Sequence, residues 1–250
     1  MIDFSGISRK SLPGKVLRAF LRPIPGNFTV FILQGKLRGR KWIKGSGTNG
    51  FWLGTFELPK QKLFGEYVRA GDVVFDIGAH AGFYSLLAAE LAGSRGKVFA
   101  FEPLPRNFEF LKRHIKMNGF SNIEPINAAV SSTEGHSFFN TGENSFTGCL
   151  SKKGGLSVKT VSIDGLAGRK QVPLPDVMKI DVEGAEADVL KGASGILEKA
   201  RPVIFLALHN KEAYDNCINL LGSLGYRIKY IKEGDESEII AFHGHAPNNG

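Results

Sequence analysis

The feature that most constrains this chain is an alternation that begins at Gly71 and runs to residue 224. Short apolar runs at residues 73–77, 97–101, 123–127, 177–181 and 203–208 alternate with stretches at helical spacing. Those stretches are residues 83–92, 106–118, 185–191 and 211–224. A strand that is apolar on both faces must be covered on both. Strands alternating with helices meet that need as a parallel sheet between helical layers. The expected fold class is α/β, Rossmann-like. Residues 136–139 and 158–163 read as strand-like insertions before the fourth sheet strand. Residues 226–231 and 238–242 flank an acidic turn and read as a closing antiparallel hairpin. Open sheets of this kind bind ligands at the carboxyl ends of their strands.

The 250 residues suit one compact α/β domain with an extension. The net charge of +8 is unevenly placed: residues 1–60 hold 11 Lys and Arg against Asp3 and Glu57, and the rest hold 21 against 22. In residues 14–24, Val16, Leu17, Phe20, Leu21 and Ile24 fall at helical spacing, with Lys15, Arg18 and Arg22 between them. Pro23 and Pro25 end that short basic helix. Residues 28–33 and 37–43 read as two strands joined near Gly35, and residues 45–50 as a loop. Residues 49–57 fall at the mouth of the domain that follows. Residues 1–60 are thus expected to be a basic extension capping the substrate side, and residues 61–250 the ligand-binding domain. A basic edge suits an acidic or phosphate-bearing substrate, an anionic membrane surface or nucleic acid. No apolar run approaches the roughly 18–20 residues that span a bilayer. Cys149 and Cys217 have neither metal-ligand spacing nor the density of a disulfide framework. The expected location is cytoplasmic, with peripheral membrane attachment through the basic segment as a variant.

The strongest local signal is Val73-Val-Phe-Asp-Ile-Gly-Ala-His-Ala-Gly-Phe83, a strand ending in Asp76, a turn from Gly78 to Gly82, and a helix start. A dinucleotide site needs G-x-G-x-x-G. Here the position two after Gly78 is His80, which would crowd a pyrophosphate, and Asp76 would repel one. A ligand with an amine and a sulfonium has the opposite preference, so the turn favours S-adenosylmethionine. Glu102 ends the second strand, 20 residues after Gly82, where a carboxylate can accept from both ribose hydroxyls. At the third strand end, Ala128 and Ala129 leave room for a flat adenine, and Asn127 can meet it.

The fourth strand runs into Lys179-Ile-Asp-Val-Glu-Gly-Ala-Glu186, with Asp181 and Glu183 at its tip. Glu183 and Glu186 also suit the start of the next helix, where the macrodipole favours carboxylates. The fifth strand is followed by His209, a candidate base on the ligand edge.

The sequence resembles the FkbM-type methyltransferase family between Trp52 and Ile231. The resemblance rests on Trp52-Leu-Gly-Thr-Phe-Glu57, Asp76-Ile-Gly-Ala-His-Ala-Gly82, Ala100-Phe-Glu-Pro-Leu-Pro-Arg-Asn107, Asn127-Ala-Ala-Val130, Lys179-Ile-Asp-Val-Glu-Gly-Ala-Glu186 and Gly225-Tyr226. It implies a class I fold, with a seven-stranded sheet whose last strand is antiparallel. It also implies S-adenosylmethionine contacts from Asp76, Gly78 and Glu102, and O-methylation of a sugar, glycan, lipid or secondary metabolite. Ala79, His80 and Gly82 belong to the same turn and are expected at the cofactor, with Asn127 and Ala128.

Methyl transfer to a hydroxyl requires the acceptor oxygen in line with the donor, and a base helps. His209 or Asp181 is the expected base, with Glu183 and Glu57 positioning the acceptor. No dense cluster of Asp and Asn supplies a hard-cation site, so no metal is expected. An RNA methyltransferase using the basic segment is the alternative. Against it, the fourth strand lacks the Asn/Asp-Pro-Pro-aromatic turn of enzymes that methylate base amino groups, and no RNA-binding module is visible. A scaffold that kept the fold, and a dinucleotide oxidoreductase, rank below both.

Overall fold

A computed structural model of the chain describes residues 25–141, 148–151, 155–232 and 234–244. The basic helix expected at residues 14–24 lies outside them. The first described elements are a small antiparallel hairpin, β1 (Thr29–Phe31) and β2 (Lys41–Ile43), then helices α1 (Asn49–Leu53) and α2 (Leu58–Tyr67). The alternation follows: β3 (Val73–Ile77), α3 (Phe83–Ala92), β4 (Lys97–Phe101), α4 (Pro105–Asn118) and β5 (Ile123–Ile126). A second sheet interrupts it, made of β6 (Ala129–Val130), β7 (Gly135–Thr141), β8 (Gly148–Ser151) and β9 (Leu156–Val161), with α5 (Ile163–Gly168) after it. The alternation then resumes with β10 (Val177–Ile180), α6 (Glu186–Lys191), α7 (Ser194–Ala200), β11 (Val203–Ala207) and α8 (Lys211–Ser223). It closes on β12 (Arg227–Lys232) and β13 (Asp235–Phe242).

The main sheet has seven strands in the order β12-β13-β11-β10-β3-β4-β5. The pairings between β11, β10, β3, β4 and β5 are parallel, and β13 runs antiparallel to both its neighbours. This is the class I arrangement expected from the sequence. The order jumps from β3 to β10, so the sheet reverses its winding between these two strands, and a crevice opens above their carboxyl ends. Residues on opposite sheet faces feed two separate cores. Val74, Val98 and Ala100 face α3 and α4, while Phe75, Ile77, Phe99, Met178 and Ile180 face α5, α6 and α7.

Several segments differ from the sequence expectations, among them helices α2, α5 and α7, which local periodicity does not single out. Residues 37–40 are not strand, because Gly35 and Gly39 take φ of 83° and 84° and the chain turns there. The end of the loop expected at residues 45–50 is already helix, which runs over Asn49–Leu53, since Phe51 and Trp52 bury one face and Gly54 closes the turn in the left-handed region. The insertion is a four-stranded sheet, whose first strand, Ala129–Val130, is too short to show alternation.

The hairpin is held to the domain by His114 of α4, which is fully buried. The Ile43 N–H donates to its Nε2 at 2.9 Å, its Nδ1 donates to the Ala81 carbonyl at 2.8 Å, and its ring stacks on Trp42 at 3.8 Å between centroids. That bonding fixes the neutral imidazole, and burial pushes its pKa down to about 4. Unfolding restores a value near 6.5, so below that pH the unfolded chain binds a proton that the folded chain refuses. Stability is therefore expected to fall as pH drops from 6.5 towards 4, each such group contributing up to about 1.4 kcal/mol per pH unit. Urea unfolding across this range should show a shallower pH slope for His114→Gln than for the unaltered chain. Equal slopes would remove His114 as the cause.

Candidate active site

At the carboxyl ends of β3, β4, β10 and β11 lies a cleft of about 420 Å³. Its wall includes Gly78, His80, Glu102, Leu104, Asn107, Ala128 and Val130 at one end. Phe56, Glu57, Asp181, Glu183, His209 and Glu238 stand at the other.

At the first end, Glu102 is buried at 4% exposure, yet its carboxylate holds backbone donors on both oxygens. The His80 N–H donates to Oε2 at 2.8 Å and the Leu104 N–H to Oε1 at 2.9 Å. Burial pushes the Glu102 pKa up to about 7 against the pull of these donors. Oε1 also accepts from Asn107 Nδ2 at 3.4 Å, and Oε2, with one donor, keeps acceptor capacity for a ligand hydroxyl. His80 turns through the left-handed region at φ 51° to deliver its N–H, and burial lowers its own pKa to about 4. A Cβ at Gly78 would overlap the carbonyl oxygen of Asp181, so this glycine lets the tips of β3 and β10 close on each other. Ala128 lines the wall with no more than a methyl group.

Four positions expected at the cofactor stand behind this wall. The Asp76 carboxylate is buried, accepting from Ser85 Oγ at 2.6 Å and lying 3.5 Å from Lys179 Nζ. Asn127 donates to the carbonyls of Glu102 and Pro103 and so shapes the turn that carries Glu102. Gly82 passes close to Leu111 of α4, and Ala79 is buried in the core beside it. Asp76 lies on the face of β3 that it shares with Val74, where its carboxylate meets Ser85 and Lys179.

The second end is built on two buried lysines that the sequence reading passed over. Lys179 lies between Asp76 and Asp181, 3.3 Å from the latter. Lys60 of α2 lies between Glu57 at 3.2 Å and Glu238 of β13 at 2.5 Å. Both ammonium groups approach the Tyr84 ring, at 5.6 Å from Lys60 and 5.2 Å from Lys179, and the Tyr84 hydroxyl donates to Glu57 at 3.0 Å. Burial opposes the charge on Lys179, but Asp181 and Asp76 outweigh it and raise its pKa. Burial would likewise raise Asp181, yet Lys179, Lys60 and His209 bring it down to about 2. The signal for Lys179 was present in the sequence: a charged residue inside Val177–Ile180 requires a buried partner. Glu238 was hidden, because only the return of β13 beside β11 brings it to the cleft.

His209 follows β11. Its Nδ1 meets Glu186 Oε1 at 2.5 Å, and that oxygen also accepts from the Gly184 N–H at 2.8 Å. Its Nε2 lies 3.5 Å from Asp181 and 3.6 Å from Glu183. The bond to Glu186 raises the His209 pKa against burial, helped by Glu183 and Asp181. Glu186 thus sits at a helix start, as expected, but also holds the imidazole. Among the described residues no group of three or more His, Cys, Asp and Glu side chains is arranged to hold a metal ion.

The parallel sheet, its single antiparallel last strand and a cleft at the switch between β3 and β10 define a class I methyltransferase fold. The model of the methyltransferase FkbM domain matches residues 76–228, and the chain belongs to this family. It is 32% identical over 145 residues to the hexuronic acid methyltransferase AglP of Haloferax volcanii, covering 57% of this chain and 59% of that protein. It is 34% identical over 59 residues to protein-L-isoaspartate O-methyltransferase 2 of Archaeoglobus fulgidus, 24% of this chain and 27% of that one. The crystal structure of methyltransferase FkbM from Methylobacillus flagellatus superposes with a TM-score of 0.52 at 17% identity, over 69% of this chain and 44% of that one. The chain spans less than two thirds of the length of each of these relatives. The cofactor is S-adenosylmethionine. The residues present fit it: Glu102 offers acceptors to a diol, Ala128 leaves a flat wall, and the surrounding carboxylates suit a cation.

Removing the Lys179 charge leaves Asp76 buried without a counter-ion and Asp181 with only Lys60 and His209 near it, and breaking a buried pair in this way typically costs about 3–5 kcal/mol. Lys179→Met is expected to lose that order of stability in urea unfolding, and Asp76→Asn in the same chain to recover part of it. A Lys179→Met chain as stable as the unaltered one would contradict the pairing.

Proposed function

We propose that this chain transfers the methyl group of S-adenosylmethionine to a hydroxyl of a carbohydrate acceptor, with His209 as the base. The observation that carries the reading is the setting of His209 Nε2. It faces the acceptor end between Asp181 and Glu183, while Nδ1 is anchored on Glu186. S-adenosylmethionine supplies an electrophilic methyl group. The chain's own task is to hold the acceptor oxygen in line and to take its proton. Asp181 is a poor base, since two lysines hold it ionised down to about pH 2. It orients the imidazolium instead. His209 Nε2 accepts the hydroxyl proton, and Glu57 and Glu183 position the acceptor through their carboxylates. Both take left-handed backbone conformations, φ 47° and 52°, of the kind retained where side-chain aim matters. Glu102 accepts from the ribose hydroxyls, Gly78 and His80 form the seat beside it, and Ala128 flanks the adenine. Asp76, Ala79, Gly82 and Asn127 support that seat from behind.

A carbohydrate acceptor is supported by the hexuronic acid methyltransferase among the relatives and by the carboxylates at the acceptor end, which suit hydroxyl donors. RNA is disfavoured, because no Lys or Arg is among the described residues that line the cleft. An anionic membrane or phosphate-bearing partner would have to be met by the basic segment of residues 1–60. Among the described residues, no helix is long and apolar enough to cross a membrane.

His209→Asn is expected to lower kcat by about 10²–10⁴-fold while leaving the affinity for S-adenosylhomocysteine within about threefold. Because the base must be neutral, kcat should rise with pH through an apparent pKa above 6.5. Glu186→Gln removes the carboxylate that stabilises the imidazolium and should move that rise to lower pH. Full turnover in His209→Asn would sink the assignment. Glu102→Ala should instead weaken S-adenosylhomocysteine binding, by about tenfold or more for two lost charge-assisted bonds. Transfer of labelled methyl to RNA but not to glycan extracts would overturn the acceptor class.

A further inference from the structure

The charges at the acceptor end carry an inference about which carbohydrates it takes, and it rests on the reading just given. Four carboxylates face this end: Glu57, Asp181 and Glu238, each with side chains 28% exposed, and Glu183 at 34%. The cations that answer them do not reach the cleft surface. The Lys60 side chain is 2% exposed and that of Lys179 5%. Each is already shared between two carboxylates, Lys60 by Glu57 and Glu238, Lys179 by Asp76 and Asp181. Behind His209 a further carboxylate, Glu186, is fully buried, with its Oε2 lacking a hydrogen-bond donor. Six carboxylates thus surround two lysines and one histidine.

Among the described residues the balance is negative, and the part of it that lines the cleft is wholly negative apart from His209. Carboxylates set a few ångströms apart around a cleft accept well from paired hydroxyls, and they attract an ammonium group. An incoming carboxylate or phosphate would meet like charges, and among the described residues that line the cleft only His209, already bonded to Glu186, could carry an offsetting positive charge; in a partly desolvated site such repulsion is weakly screened.

We infer that the acceptor end takes an uncharged or amine-bearing sugar unit and turns away one that carries a carboxylate or phosphate near the reacting hydroxyl. The preference named by the relative from Haloferax volcanii, a hexuronic acid, is therefore not carried over to this chain. Like-charge exclusion is a recognised way to build specificity, because it acts against the wrong ligand without strengthening the right one.

The test uses three matched methyl glycosides: glucose, glucosamine and glucuronic acid. Binding to the full chain saturated with S-adenosylhomocysteine is followed by ligand-observed NMR, and homocysteine-coupled turnover is measured beside it. The glucoside and glucosaminide are expected to bind at least tenfold more tightly than the glucuronide. Glu238→Gln should narrow that gap severalfold, since Lys60 then answers one carboxylate fewer. A glucuronide that binds as well as the glucoside overturns the inference while leaving carbohydrate O-methylation in place. A gap that Glu238→Gln leaves unchanged assigns the discrimination to shape and overturns the charge argument. If S-adenosylhomocysteine binds but none of the three glycosides does, the carbohydrate reading fails and the inference falls with it.

Discussion

A lysine buried at the tip of a parallel strand is costly, and the arrangement of this cleft follows from how the cost is offset. Lys179 can stay charged only with Asp76 on the neighbouring strand and Asp181 just beyond its own. Because β3 and β10 are the strands at which the sheet reverses, this one ion-pair chain fastens the two halves of the fold where the cleft opens. Lys60 repeats the device between α2 and the last strand, tying Glu57 to Glu238. Tyr84, between the two ammonium groups, joins the pairs into one buried assembly. Four separate stretches of sequence are thereby held in register around the acceptor end.

Strained backbone is concentrated at the same cleft, and the assembly holds part of it in place. Of the five non-glycine residues with positive φ among those described, three, Glu57, His80 and Glu183, line the cleft. Each such conformation costs about 1–3 kcal/mol and persists only where its surroundings enforce it. The enforcing contacts are visible at two of them: Glu57 is gripped by Lys60 and Tyr84, and the His80 N–H by Glu102. Strain and ion pairing together aim side chains at a space that the protein itself does not fill.

Much of this was legible in the sequence. The five parallel strands were placed to within one residue at their ends, and α3 matched its expected span, because apolar runs bounded by turn residues leave little choice of period. The residues at the strand tips could be named for the same reason: topology fixes which end of a parallel sheet binds. What escaped was everything set by distant partners. The partner of the buried Asp76 is Lys179, about a hundred residues further along the chain and brought beside it by the pairing of β3 with β10. Glu238 arrives from a hairpin some 180 residues along from Lys60. The short strand Ala129–Val130 is defined by its pairing with β9, which no local pattern announces. Local periodicity writes the frame, and long-range electrostatics decide which carboxylates face the ligand.

The claim on which the account stands is that the strand tips form one cleft with a nucleoside seat at Glu102 and an acceptor seat at His209. A crystal structure of the complex with S-adenosylhomocysteine tests it most directly. Both ribose hydroxyls are expected within about 2.6–3.2 Å of the Glu102 carboxylate, with the adenine beside Ala128 and the sulfur directed towards Asp181 and His209. A nucleoside seated away from Glu102, or one whose sulfur faces away from His209, would contradict it.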